Sequence, residues 1–178
     1  MNSKAASGRL LVRSTRKRED TRVGVLVQCN YGDRDELRIA GIPVGREIPD
    51  GKVWHQDVGS IIIVVATDAP LIPTQLKRVV MSESRLDLDA TAAIPATRSG
   101  DIFIAFSTAN PGTEGAKKPT TVTMIPNDDL DPIFLATVRA TEEAIVNAMI
   151  AAETMTGVND RTVIALLPRQ AARGVEKA

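Results

Sequence analysis

The chain has 178 residues, of which 43% are apolar and 25% charged, and its 22 Lys and Arg balance its 22 Asp and Glu. That length and composition suit one domain with a sizeable core and exclude a disordered chain. The balanced charge gives no global pull towards nucleic acid or an acidic membrane. With one cysteine, Cys29, no intrachain disulfide forms, and with one histidine, His55, no structural zinc site of the usual nitrogen–sulfur kind is available. No cofactor or metal is implied. No window approaches the roughly 20 apolar residues of a membrane span, and the start of the chain lacks a signal-peptide stretch, so a cytoplasmic location is expected.

Residues 1–22 are polar, basic and small, and read as a flexible arm. Their basic run "RSTRKRED" (13–20) reads as a solvated segment rather than a nucleic-acid arm. "VGVLVQC" (23–29) is β-branched and reads as a strand with Cys29 as a small buried side chain. "LRIAGIPVG" (37–45) reads as a second, shorter strand, followed by a loop with Pro49, Asp50 and Gly51 as turn formers. "SIIIVVATD" (60–68) is apolar on both faces, the pattern of a central buried strand.

Leu71, Gln75, Leu76, Val79 and Val80 recur at helical spacing over 69–87, with Pro70 and Pro73 suited to a first turn. A loop leads to "DIFIAFST" (101–108), another near-continuous apolar strand, and a second loop leads to "TVTMI" (121–125), a further strand. The longest element spans 131–157, with Asp131 as N-cap, Pro132 at the first helical position and Gly157 at the C-terminal cap. Phe134, Val138, Ile145, Met149 and Ala152 form its apolar stripe, and Arg139, Glu142, Glu143 and Glu153 its polar side. "TVIALLP" (162–168) reads as an edge strand, and 169–178 as a polar tail. The turn after the central strand, "TDAPLIP", has no glycine, which argues against a Rossmann or phosphate loop. These elements give an α+β class, with sheets covered by helices.

The chemistry turns on Gly59-Ser60, directly before the central strand. Its plain reading is a turn entering a strand. The sharper one is a self-cleavage point that leaves Ser60 as a new N-terminus and nucleophile. Serine needs a base. One candidate is His55, five residues earlier, in a Ser-His-Asp arrangement. The other is the serine's own α-amino group, whose reference pKa of about 7.7 to 8.0 leaves a useful neutral fraction near pH 7. Glycine at position 59 keeps the scissile bond sterically open. "SGDIF" by itself is a turn before a strand, and Asn30 by itself is a strand-ending residue.

"VGVLVQCNYG", "LRIAGIPVG", "GSIIIVVATDAPLIPTQL", "SGDIFIAFSTANP" and "LDPIFLATVRATEEAIVNAMIAAETMTG" occur in this order. Together they resemble the L-aminopeptidase/D-esterase and β-peptidyl aminopeptidase family, the DmpA-type N-terminal-nucleophile hydrolases, over about residues 22 to 168. The resemblance implies an αββα sandwich like that of the ornithine-acetyltransferase family. It also implies cleavage between Gly59 and Ser60, which divides the domain (23–168) into an α-chain remnant, 23–59, and a β chain from 60. The serine then attacks peptides, amides or esters of small amino acids beside a free amino group. Ser99 and Asp101 match the family's Ser-Gly-acid motif and would orient the new amine and hydroxyl, with Asp101 stabilising the ammonium. Asn30 matches an α-chain asparagine whose amide would donate to the oxyanion.

The sequence departs from the family in two places. Only some 22 residues precede the first strand, where the family carries most of its α chain, so the sequence resembles a C-terminal half. The loop at 89–98 is also short, which bears on the placement of Ser99. Half a sandwich leaves apolar sheet exposed, so the expectation is a homo-oligomer, or a separate chain supplying the other half. The alternative is a truncated, non-catalytic family member serving as an assembly or binding subunit. An acyltransferase of the related fold is a third reading, weakened because that family uses an N-terminal threonine.

Overall fold

The computed structural model describes residues 4–13, 20–30, 37–48, 60–86, 101–160 and 162–165. Four strands form one sheet in the order β1 (Lys4–Arg13), β2 (Asp20–Asn30), β3 (Ser60–Thr67) and β4 (Ile102–Ser107). The β1–β2 and β2–β3 pairs are antiparallel, whereas β3 and β4 run parallel, with α1 (Pro73–Leu86) in the crossover between them. The long helix α2 (Asp131–Ile150) packs on β1 and β2, while α1 packs on β4 and on α2.

Alternation along the strands decides which side the helices cover. Val23, Val25 and Val27 of β2 and Ile61, Ile63 and Val65 of β3 are buried beneath the helices. Each such side chain contributes on the order of 1.5–3 kcal/mol by leaving water. From the helices, Val79 and Val80 of α1 and Ile133, Ala136, Ala140, Ala144 and Ile145 of α2 complete this core. Thr137 and Thr141 of α2 are also fully buried. Their hydroxyls donate to the carbonyls of Ile133 and Thr137, at 2.7 and 3.0 Å, so neither is left unsatisfied.

The other face has no cover among the described residues. Leu26, Ile102, Ile104 and Phe106 are about half exposed there, at 48%, 53%, 49% and 48%. Ile62 and Val64 lie between them, since the register sets Val64 between Leu26 and Ile104 and sets Ile62 beside Ile102. One sheet with helices on one side is two of the four layers of the expected sandwich.

Several expectations are corrected. Residues 4–13, read as part of a flexible arm, form β1; their small and charged residues carry little strand signal, and the strand exists through its ladder with β2. Residues 37–45 are not a strand. Ile39 and Ile42 bridge around a turn at Ala40 and Gly41 (φ 51° and 78°), and Val44–Glu47 follow as a 3₁₀ turn. Residues 121–125 belong to no strand. The long helix ends at Ile150, not near Gly157, and Asp131 is its first residue rather than its cap. Leu130 takes the cap position, and the Asp131 carboxylate sits in the first turn, where the helix dipole favours it. Residues beyond the helix form a small hairpin of β5 (Met155–Thr156) and β6 (Thr162–Val163), so the described part of the expected edge strand, 162–165, joins no edge of the main sheet, and 166–168 lie outside the described residues. The readings of the 49–59 and 87–100 loops and of the 169–178 tail lie outside the described residues.

Candidate active site

Ser60 is the first residue of β3 and is half-buried. Ile61 points under the helices and is 1% exposed, so strand alternation turns Ser60, like Ile62, towards the open face. The antiparallel register sets the backbone of Asn30, the last residue of β2, directly opposite Ser60. Asp101 immediately precedes β4. Because β3 and β4 are parallel, their starts lie side by side, and the Ile61 N–H donates to Asp101 Oδ1 at 3.3 Å. Three of the four proposed catalytic positions, Asn30, Ser60 and Asp101, therefore meet at one end of the sheet. The fourth, Ser99, lies outside the described residues, as do Gly59 and His55.

The site's polarity follows from this placement. Asp101 is exposed, and its carboxylate is fixed on the amide that joins Ser60 to Ile61. A carboxylate held there is positioned to stabilise a positive charge at the Ser60 nitrogen if that nitrogen becomes a free amine. Cys29, the neighbour of Asn30 and the residue opposite Ile61, is a different case. It packs against the core, and burial pushes its thiol up to about 11. A thiol so held stays protonated near neutral pH, which sets Cys29 aside as a nucleophile.

Two features were not anticipated from residue types. One is the Ile61 amide as the group that fixes Asp101; a backbone contact between residues 40 positions apart leaves no local sequence signal. The other is the apolar floor beside Ser60, made by Ile62 and Ile102; its signal was the apolar character of both faces of the 60–68 and 101–108 runs. An open groove of about 560 Å³, lined by Leu76, Val80, Phe103, Phe106, Asn110 and Val122, lies towards the other end of β4, away from Ser60. Among the described residues no three His, Cys, Asp or Glu side chains gather as a metal site, and no helix is long and apolar enough to cross a membrane.

The family model for Peptidase family S58 matches residues 5–163. The β-peptidyl aminopeptidase BapA of Sphingosinicella microcystinivorans is 43% identical over 172 residues, which is 87% of this chain and 43% of that protein. The L-aminopeptidase D-Ala-esterase/amidase of Ochrobactrum anthropi, described as a prototype for the serine aminopeptidases and a new variant among the Ntn hydrolase fold, superposes with a TM-score of 0.86 at 39% identity. That match covers 98% of this chain and 48% of the other. A Burkholderia sp. β-aminopeptidase superposes with a TM-score of 0.82 at 32% identity, covering 99% of this chain and 50% of the other. The chain thus spans less than half the length of the curated relative and about half of each solved chain, and it reproduces a fragment of the Ntn-hydrolase fold. Its sequence from the first strand to the small hairpin identifies it as a member of Peptidase family S58.

Proposed function

We propose that this chain carries the nucleophile-bearing half of an N-terminal-serine aminopeptidase that cuts itself between Gly59 and Ser60. The observation that carries this reading is the Asp101 carboxylate held on the amide beside Ser60, at the rim of the open sheet face. In the first step Ser60 Oγ attacks the Gly59 carbonyl and the Gly59–Ser60 C–N bond breaks, which frees the Ser60 amine and leaves Gly59 as an ester on Oγ; water then hydrolyses that ester to the Gly59 carboxylate and the free Ser60 hydroxyl. That amine then serves as the base that takes the hydroxyl proton when Oγ attacks a substrate carbonyl. Asp101 stabilises the ammonium so formed, and Ser99 orients the amine and hydroxyl. The Asn30 amide donates to the oxyanion, a role worth on the order of 3 kcal/mol at comparable sites. Substrates are small amino-acid amides, esters or short peptides with a free amino group. Turnover needs a segment to cover the open face, and the twofold length of the relatives supports a second half supplied on the same or another polypeptide, with the processed halves forming oligomers.

Intact mass of the purified protein tests the first step. Two fragments are expected, one beginning Ser-Ile-Ile, and Ser60→Ala stays whole. A wild-type protein that remains one chain on long incubation favours the second reading, a non-catalytic assembly subunit, which the uncovered apolar face also supports.

A further inference from the structure

The open face that Ser60 shares carries a polar residue at one point close to the serine. Val27 is fully buried and Cys29 packs on the core, so alternation along β2 turns Gln28 to the open face, where it is exposed. The register sets Gln28 opposite Ile62, with Ile102 next along that row, and sets Leu26, Val64 and Ile104 in the row behind. In these two rows of β2, β3 and β4, Gln28 is the one polar residue. Its row is also the one that adjoins the nucleophile. Ser60 stands opposite Asn30, two residues further along β2, which makes Gln28 the diagonal neighbour of Ser60. Diagonal neighbours lie roughly 7–8 Å apart, a span that a long side chain bridges.

A polar side chain in an otherwise apolar surface, beside a nucleophile, is the kind of group that orients a substrate. A carboxamide has two N–H donors and an acceptor oxygen, so it can bond a ligand alongside contacts to the protein. The distribution of charge about β3 decides which substrate atom it meets. β3 lies between β2 and β4. Asp101 stands on the β4 side, next to the Ser60 nitrogen where positive charge develops in the proposed reaction. Negative charge develops on the substrate carbonyl oxygen, whose proposed donor, Asn30, belongs to β2. Gln28 is on that same strand, and an oxyanion accepts more than one hydrogen bond. Resting on the peptidase reading, we propose that Gln28 is a second donor to the oxyanion. As the bond from Ser60 Oγ to the substrate carbon forms, the hydroxyl proton passes to the Ser60 amine. The carbonyl π pair moves onto the oxygen, and Gln28 Nε2–H donates to it there. Ile62 and Ile102, which continue the row, offer the apolar parts of the substrate a dry floor.

The test compares Gln28→Leu and Gln28→Glu with wild type, each as processed protein with its complementary half supplied, on an alanine amide. Leucine removes all hydrogen bonding, whereas glutamate keeps the shape and an acceptor and removes the donors. Loss of one oxyanion donor lowers kcat about a hundredfold or more, and KM changes little because the bond is made in the transition state. Both variants are expected to show this. A boronic acid built on alanine adds to Ser60 Oγ as a tetrahedral anion and gives a readout that a merely structural role would not move. Its Ki should rise by the factor by which kcat falls, while alaninol, which forms no adduct, binds as in wild type. Wild-type kcat in either variant overturns the proposal and leaves the peptidase reading intact. So does a rise in KM alone, or a fall in kcat with the boronate Ki unchanged. A wild-type protein that turns over no amide refutes the peptidase reading, and this proposal with it.

Discussion

Asp101→Asn separates charge from geometry at the site. The amide of asparagine keeps an acceptor for the Ile61 N–H, which now lies 3.3 Å from Asp101 Oδ1, and only the negative charge is lost. The Ser60 nitrogen is one residue back, so the carboxylate stands about 6 Å from it by ordinary backbone dimensions. At that distance and an effective dielectric of about 20, the attraction for an ammonium is roughly 2.8 kcal/mol. Asp101 is exposed, and solvent screening removes about half of this, leaving roughly 1.4 kcal/mol. That energy equals about one pKa unit. The carboxylate therefore raises the pKa of the freed Ser60 amine by about a unit, and Asn removes the rise. With the neutral amine as the base, as proposed above, hydrolysis increases with pH through this pKa. The assay is the pH–rate profile of an alanine amide hydrolysed by the processed protein with its complementary half supplied. Asp101→Asn should move the acid limb down by about one unit and lower the plateau several-fold, since a weaker base accepts the serine proton less readily. A limb that stays in place, or moves up, would refute the role given to Asp101.

Other consequences are measurable on this chain alone or with its complement. Gln75 is 2% exposed, and its side chain bonds Ile125 O at 2.7 Å, Asn127 Oδ1 at 3.1 Å and Ile72 N at 3.2 Å. Gln75→Ala should cost about 2–4 kcal/mol in urea unfolding, and a loss below about 1 kcal/mol would show that water replaces these bonds. Cys29 should resist alkylation at pH 8. Its folded pKa of about 11 exceeds the unfolded 9.0, so the stability it contributes is present below pH 9 and lost as pH rises towards 11. Cys29→Ala should flatten that alkaline decline; an unchanged curve assigns it to other groups. Ile104→Lys, on the open face, should leave the fold of the isolated chain intact and block reassembly with a complementary half. Normal reassembly would mean this face is not the one covered.

The strands over 23–29, 60–68 and 101–108 were legible because alternation or an unbroken apolar run survives in each. Lys4–Arg13 was not, because Ala5, Ala6, Ser7 and Gly8 have little strand preference and are held by partners some 20 residues away. In α2 only Ile145 of the expected stripe's large residues is buried, and small residues take most of the contact. Phe134 and Met149 are only partly buried, while Ala136, Ala140, Ala144 and Ala148 are buried, because a helix lying close on a sheet needs small side chains at the contact. Hydrophobic weight does not report that spacing. At the site, Ser60 and Asp101 were linked through family motifs, whereas the physical link is a parallel register that no local pattern encodes.

Parallel neighbours have a consequence for how this protein tolerates change in length. Ser60 and Asp101 stand at adjacent strand starts, and everything between them runs out along β3, back through α1 and the connection that follows, and returns to the same end. Their spacing is set by the β3–β4 ladder, not by the number of residues in the return path. Insertions or deletions between Leu86 and Asp101 therefore leave the pair's separation unaltered so long as the connection still reaches, and the entropy of a longer loop rises only as the logarithm of its length. A single-residue slip within Ile102–Ser107 has the opposite effect, because it carries Asp101 off the Ile61 amide and reverses the faces of Phe103 and Ile104 together.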